Sequence, residues 1–116
     1  KAIVAACDEI PAGNLLDQFI VDCIQGGAGT SSNMNANEVI ANRAIEILGG
    51  RKGDYSLVHP VNHVNLFQST NDVYPTALRI AAIKLLKPLS ENMARLQKAL
   101  QVLRPYELTK PGIAGK

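Results

Sequence analysis

The stretch PTALRIAAIKLLKPLSENMARLQKALQ, residues 75–101, decides the fold class. Leu78, Ala82, Leu85, Leu89, Met93, Leu96 and Leu100 recur at intervals of four and three. That spacing places them on one stripe of a helix and makes a seam suited to partner helices at a shallow crossing angle. At 1.5 Å per residue the element runs roughly 40 Å. Pro75 suits a first helical turn. Pro88, mid-pattern, predicts a kink at a local cost of about 3 kcal/mol unless packing compensates. Such a helix is out of proportion to a chain of 116 residues, because a compact globule of this size has a radius of gyration of about 13 Å. The seam therefore predicts partners from other chains or from further sequence.

Upstream, GGAGTSSNMNANEVIANRAIEILGG, residues 26–50, predicts a second helix. Ile40, Ala44, Ile47 and Leu48 form its apolar stripe, Asn35 with Glu38 matches a capping box, and Gly49-Gly50 supplies the stop. Residues 1–10 place Ile3, Ala6, Cys7 and Ile10 at helical spacing, and the PAGN stretch at Pro11–Asn14 breaks that pattern. Residues 15–25 have no clean period and read as extended or irregular. Residues 51–65 read as a polar connection containing Gly53 and Pro60. The organisation expected is an N-terminal helical region over 1–74, a long bundle helix over 75–101 and a tail over 102–116. The fold class is mostly α, a portion of a larger helical protein and incomplete as a domain.

Composition agrees with helix packed on helix. Hydrophobic residues make up 47% of the chain and charged residues 19%, with a net charge of +2, which excludes a disordered chain. Aromatic residues are only 4%, so the core must come from Leu, Ile, Val and Ala, which suits helices better than strands. A balance of 12 basic against 10 acidic side chains predicts no strong field for nucleic acid or an anionic membrane. No apolar run approaches the roughly 20 residues needed to cross a bilayer. The opening KAIVAACDEI, interrupted by Asp8 and Glu9, does not read as a signal peptide. Cys7 and Cys23 are too few for a disulfide framework, and are expected reduced and packed in a cytoplasmic protein.

Two segments carry chemistry. GGAGTSSNMN, residues 26–35, sets a glycine turn before a helix start, where free N–H groups and the positive end of the helix dipole favour an anion. Thr30, Ser31, Ser32 and Asn33 add neutral donors; no Gly-Lys-Ser/Thr follows, so this is not a P-loop. QSTND, residues 68–72, repeats the theme with Ser69, Thr70 and Asn71. Ordinary N-capping, with Ser69 or Asp72 as cap, explains either segment alone. Two donor-rich helix starts in one short chain are harder to assign to capping alone, and neutral donors of this kind can bind a carboxylate. His59 and His63 are spaced for a metal pair only on a helix; Pro60 and the polar context favour a loop, with His63 either a polar wall residue of a site or a plain surface histidine. No metal or cofactor is expected. The chain contains no GxSxG, HExxH or CxxC motif and no evident general base.

In this order, GGAGTSSNMNANEVIANRA, residues 26–44, and HVNLFQSTNDVYPTALRIAA, residues 63–82, resemble the first and second conserved regions of the aspartase/fumarase superfamily. DQFIVDCIQGGAGTS, residues 17–31, is closest to its aspartase branch. HPVNH departs from the Pro-Asn pair common in the superfamily by having Pro60-Val61, which puts a fumarase-type accessory site in doubt. The resemblance implies elimination of ammonia from L-aspartate to give fumarate through an enediolate. By the same resemblance Thr30 binds substrate carboxylate, Ser69, Thr70 and Asn71 hold the carboxylate that becomes the enediolate, and Asn33 and His63 are weaker candidates. It implies a homotetramer whose sites are shared between subunits around a central helical bundle. The family's GSSxMPxKxN-like loop, which carries the serine base, is not in this chain, because no MPxK follows TSSNMN. VLRPYELTKPGIAGK, residues 102–116, resembles the family's extreme C-terminal end, which implies intervening sequence near Gln101–Val102. The alternatives are a fumarate hydratase or another lyase of the superfamily, and, in a different class, a non-catalytic helical fragment or interaction module.

Overall fold

The computed structural model describes residues 1–24 and 27–108. It is built of helices, and no strand occurs among the described residues. In order these are α1 (Ala2–Glu9), a 3-10 turn (Leu16–Gln18), α2 (Thr30–Ile47), a single π-helical turn (Pro60–Val64) and α3 (Thr70–Leu108). The chain divides into two compact units, Lys1–Ala77 and Leu78–Lys116.

The first unit centres on the packing of α1 against α2. Ala6 of α1 and Ala41, Ala44 and Ile45 of α2 are fully buried, with Val58 beside them, and Ala2, Ile3, Ile40, Tyr55 and Val64 close the cluster. Alanine at the contact lets the two backbones approach closely. Val58 and Tyr55 come from the 51–65 segment, so that connection, expected to be polar, contributes to the core. The buried stripe of α1 is also rotated from the expected one. Glu9 is half-buried, while Cys7 is free and exposed, as is Cys23. The expectation of packed cysteines is thereby corrected: in α1 the face towards α2 is set by Ala6, and Cys7 lies one residue, about 100°, round the helix from it.

Helix α2 begins five residues ahead of the Asn35 capping box read from the sequence. Gly29 is its N-cap, in the left-handed region at φ 81°, with no side-chain cap bond. Asn35 is interior, and its side chain reaches the preceding loop: it accepts from the Val21 N–H (3.4 Å) and donates to the Gln18 carbonyl (3.1 Å). That loop holds the 3-10 turn and is otherwise irregular, with Leu15 at φ 62°. The far end of α2 stops as its sequence predicts. Gly49 at φ 81° donates to the Glu46 carbonyl and Gly50 to the Ile45 carbonyl, both at 2.9 Å, which is the paired closure of a Schellman end.

Helix α3 starts at Thr70, so Pro75 falls in the second turn and not in the first. Ser69 sets that earlier start: its Oγ accepts from the Asn71 N–H at 3.2 Å, and its carbonyl accepts from the Asp72 and Val73 N–H groups, both at 3.0 Å. The helix continues through Pro88 and, past the boundary expected at Gln101, to Leu108. The 39-residue element is about 58 Å long. The rest of the expected tail, 109–116, lies outside the described residues. The seam is exposed along its length: Leu78 61%, Leu85 71%, Leu89 53%, Met93 63%, Leu96 60% and Leu100 58%. No helix of the described residues is long and apolar enough to cross a membrane.

A forked ion pair supports the α1–α2 contact. Arg43 Nε meets Glu9 Oε2 at 2.7 Å and Nη2 meets Oε1 at 2.9 Å, while Nη1 reaches Glu46 at 3.2 Å. Hydrogen bonding from Arg43 holds the Glu9 carboxyl below the usual carboxylate range. A depressed acid stabilises the fold above its unfolded value and ceases to do so as pH falls through the folded one. Both partners are about one-third exposed, which keeps the effect small. Thermal unfolding followed between pH 7 and pH 3 is expected to show a steeper acid-side loss of stability in the native chain than in Glu9→Gln. Identical pH profiles would exclude the pair as a source of acid sensitivity.

Candidate functional site

The two donor-rich segments lie at two helix starts, and packing and amide chemistry join them. Thr30 is the first residue of α2 and is exposed; Asn33, one turn on, is buried at 8% exposure. Because Gly29 supplies no side-chain cap, the leading N–H groups of α2 remain available, the arrangement that favours an anion. At α3, Ser69 is the cap and is exposed, Thr70 is half-buried and Asn71 exposed. The Ser69 hydroxyl accepts the Asn71 N–H, so its own proton is left to donate outward. Asp72, in the first turn, complements the helix dipole. Of the expected glycine turn, Gly27 (φ 113°) and Gly29 are described, while Gly26 lies outside the described residues.

Gly29 packs directly on the ring of Tyr74: a Cβ at that position would overlap Cγ, Cδ1 and Cε1. This contact brings the start of α2 against the second turn of α3. A second link runs through Asn65. Its Oδ1 accepts from Asn33 Nδ2 (3.2 Å) and Asn37 Nδ2 (3.0 Å), and its Nδ2 donates to the Gln68 carbonyl (2.9 Å). The Asn65 carbonyl in turn accepts the Gln68 N–H at 3.0 Å. The amide orientation is forced, since reversal would set Nδ2 against two amide donors and Oδ1 against a carbonyl. Asn33, a candidate from the sequence, is therefore turned to Asn65 through its amide nitrogen. Asn37, buried at 6%, and Asn65 were not among the sequence candidates. The available signal was the density of asparagine along α2, since asparagine is a poor helix former.

The π-helical turn, where a loop was expected, orders both histidines. His59 Nδ1 accepts from the Val61 and Asn62 N–H groups at 3.1 and 3.2 Å, and His63 Nδ1 accepts from the His59 N–H at 2.9 Å. Each neutral imidazole is thereby fixed with its proton on Nε2. Exposed His63 offers that N–H outward, two residues before Asn65. No group of three or more His, Cys, Asp or Glu side chains among the described residues is placed to hold a metal ion.

The family model described as lyase matches residues 1–104. The chain belongs to the lyase family. Among its relatives, aspartate ammonia-lyase of Bacillus subtilis (strain 168) is 63% identical over 93 residues, 80% of this chain and 20% of the relative. Aspartate ammonia-lyase of Bacillus sp. is 59% identical over 96 residues, 83% of this chain and 20% of the relative. The crystal structure of fumarate lyase:delta crystallin from Brucella melitensis in native form superposes with a TM-score of 0.69 at 68% identity, covering 71% of this chain and 18% of that one. This lyase chain thus spans about a fifth of the length of the curated relatives it matches.

The Gly29–Tyr74 contact is separable from backbone strain, because Gly49 has the same φ of 81° and meets nothing within 4 Å. Gly49→Ala is expected to lose about 1–2 kcal/mol for the left-handed backbone alone. Gly29→Ala is expected to lose more, by the cost of displacing the ring, and Gly29→Ala with Tyr74→Ala should recover that excess. Urea unfolding midpoints of the three variants check this; equal losses at the two glycines would deny the ring contact.

Proposed function

We propose that the complete lyase is an aspartate ammonia-lyase, which eliminates ammonia from L-aspartate to give fumarate. The observation that carries the reading is the joining of two donor-rich helix starts, Thr30 at α2 and Ser69–Asn71 at α3, through the Gly29–Tyr74 contact and the Asn65 amide. The names of the relatives supply the reaction class. Thr30 and the open N–H groups of α2 bind one substrate carboxylate, and the hydroxyls of Ser69 and Thr70 with the Asn71 amide hold the other. A base removes the proton from the carbon beside that carboxylate. Negative charge then passes onto the carboxylate oxygens as the enediolate forms, and ammonia leaves from the neighbouring carbon. Neutral donors fixed before charge develops are the means by which such an intermediate is stabilised. The base is a serine on a GSSxMPxKxN-like loop outside this segment. His63, with its outward Nε2–H, is a wall residue of the same site.

The exposed apolar seam of α3 supports assembly of the complete protein as a homotetramer around a helical bundle, with sites shared between subunits. The free cysteines accord with a cytoplasmic location.

In the complete protein, Ser69→Ala or Thr70→Ala is expected to lower kcat/KM for aspartate by about 10²–10³-fold, the usual effect of removing one donor to a developing oxyanion. The readout is the ultraviolet absorbance of fumarate. Turnover of malate in place of aspartate would overturn the assignment in favour of a hydratase. Light scattering of the complete protein is expected to give four times the mass of one chain, and a monomer mass would remove the seam as an assembly surface.

A further inference from the structure

The geometry points to Asn65 as a positioning residue for the carboxylate-holding turn at Ser69–Asn71, an inference that rests on the reading of that turn given above. Asn65 is half-buried and touches no proposed substrate atom; every polar atom of its side chain is engaged within the protein. Its Oδ1 is pinned from the α2 side by two buried amides, Asn33 and Asn37. Its Nδ2 grips the carbonyl of Gln68, the residue before the Ser69 cap. One planar amide therefore transmits the position of α2, on which Thr30 stands, to the backbone that presents Ser69 and Thr70. The segment between them needs such a hold. Phe67 is fully exposed and sits at φ 59°, a conformation that costs a bulky residue of the order of 1–3 kcal/mol when nothing else fixes it. The amide bracket spans that strained residue, from Asn65 to Gln68, by both a backbone and a side-chain hydrogen bond.

Asn65→Asp isolates the bracket. A carboxylate of the same shape still accepts from Asn33 and Asn37 but has no proton for the Gln68 carbonyl. In the complete protein this variant is expected to assemble normally and to lose about 10²-fold in kcat/KM for aspartate, the scale of a displacement of about 1 Å at a reacting group. If Asn65 acts through the turn, Asn65→Asp combined with Ser69→Ala loses about what the worse single variant loses; independent structural damage multiplies instead. Should Asn65→Asp fail to assemble, Asn37→Ala serves, since alanine favours helix α2 and removes one of the two donors that pin Asn65; a loss of about tenfold is expected, again not multiplying with Ser69→Ala. Activity of either assembled Asn65 or Asn37 variant within about threefold of the native enzyme, or losses that multiply, would overturn the inference. Full activity of Ser69→Ala overturns the underlying carboxylate reading and takes the inference with it. A crippled Ser69→Ala beside a fully active Asn65→Asp overturns the inference alone.

Discussion

Buried amides must find partners, and in the first unit this requirement fixes what the small apolar core does not. A buried polar group left unpaired costs about 1–3 kcal/mol. Helix α2 carries Asn33 and Asn37, which are buried, and Asn35 and Asn42, which are half-buried, and between them they reach three other parts of the chain. Asn35 holds the loop at Gln18 and Val21, Asn33 and Asn37 hold Asn65, and Asn42 accepts from the Gly53 N–H at 2.8 Å. Ile45 is the one large side chain fully buried among the described residues. Apolar burial thus docks α1 on α2, and amide bonds place the loops that follow and precede it.

Periodic features were legible in the sequence, and features that depend on distant partners were not. The seam from Leu78 to Leu100 and the glycine stop at Gly49-Gly50 are local, and both stand where periodicity and turn chemistry put them. The start of α2 was misplaced because Asn35 and Glu38 satisfy a capping pattern, yet Asn35 bonds to residues 14 and 17 positions away. Nothing local distinguishes those two uses of one side chain. Val58 was hidden for the same reason, as one of three valines in a polar stretch, its burial depending on α2. Thr30 and Ser69–Asn71 read as plain caps until the order of the motifs suggested the lyase family. Asn65 lacked even that signal, since its role rests on a three-amide arrangement that no spacing rule describes.

Helix α3 was expected to leave an apolar face unpaired, and the exposures along it agree. An apolar stripe of this length in water is costly, at about 25 cal/mol for each Å² that a partner would cover. It persists in evolution only where the folded assembly covers it. The chain spans about a fifth of the relatives it matches, so sequence outside this segment and further copies are both candidates for that cover in physical terms.

Helix α2 is divided by chemistry along its length. TSSNMNAN, residues 30–37, carries no charged side chain, and the charges begin at Glu38. In the second half Arg43 is engaged by Glu9 and Glu46, and Glu46 also by Lys52 at 3.3 Å. The one cation of this helix, Arg43, is thus committed to docking α1 and to Glu46 near the helix end. What the first half presents is hydroxyl, amide and backbone N–H. If that half holds a substrate carboxylate, as proposed, a fixed cation there would bind substrate and product about as tightly as the intermediate, and binding that is uniform along the reaction does not raise the rate of the chemical step. Neutral donors held rigidly respond more selectively, because their worth rises as charge accumulates on the oxygens they face. On the proposed reading of Thr30 and Ser69–Asn71 as carboxylate ligands, rigidity is the property the local structure must supply, and the amides of Asn33, Asn37 and Asn65 are placed to supply it.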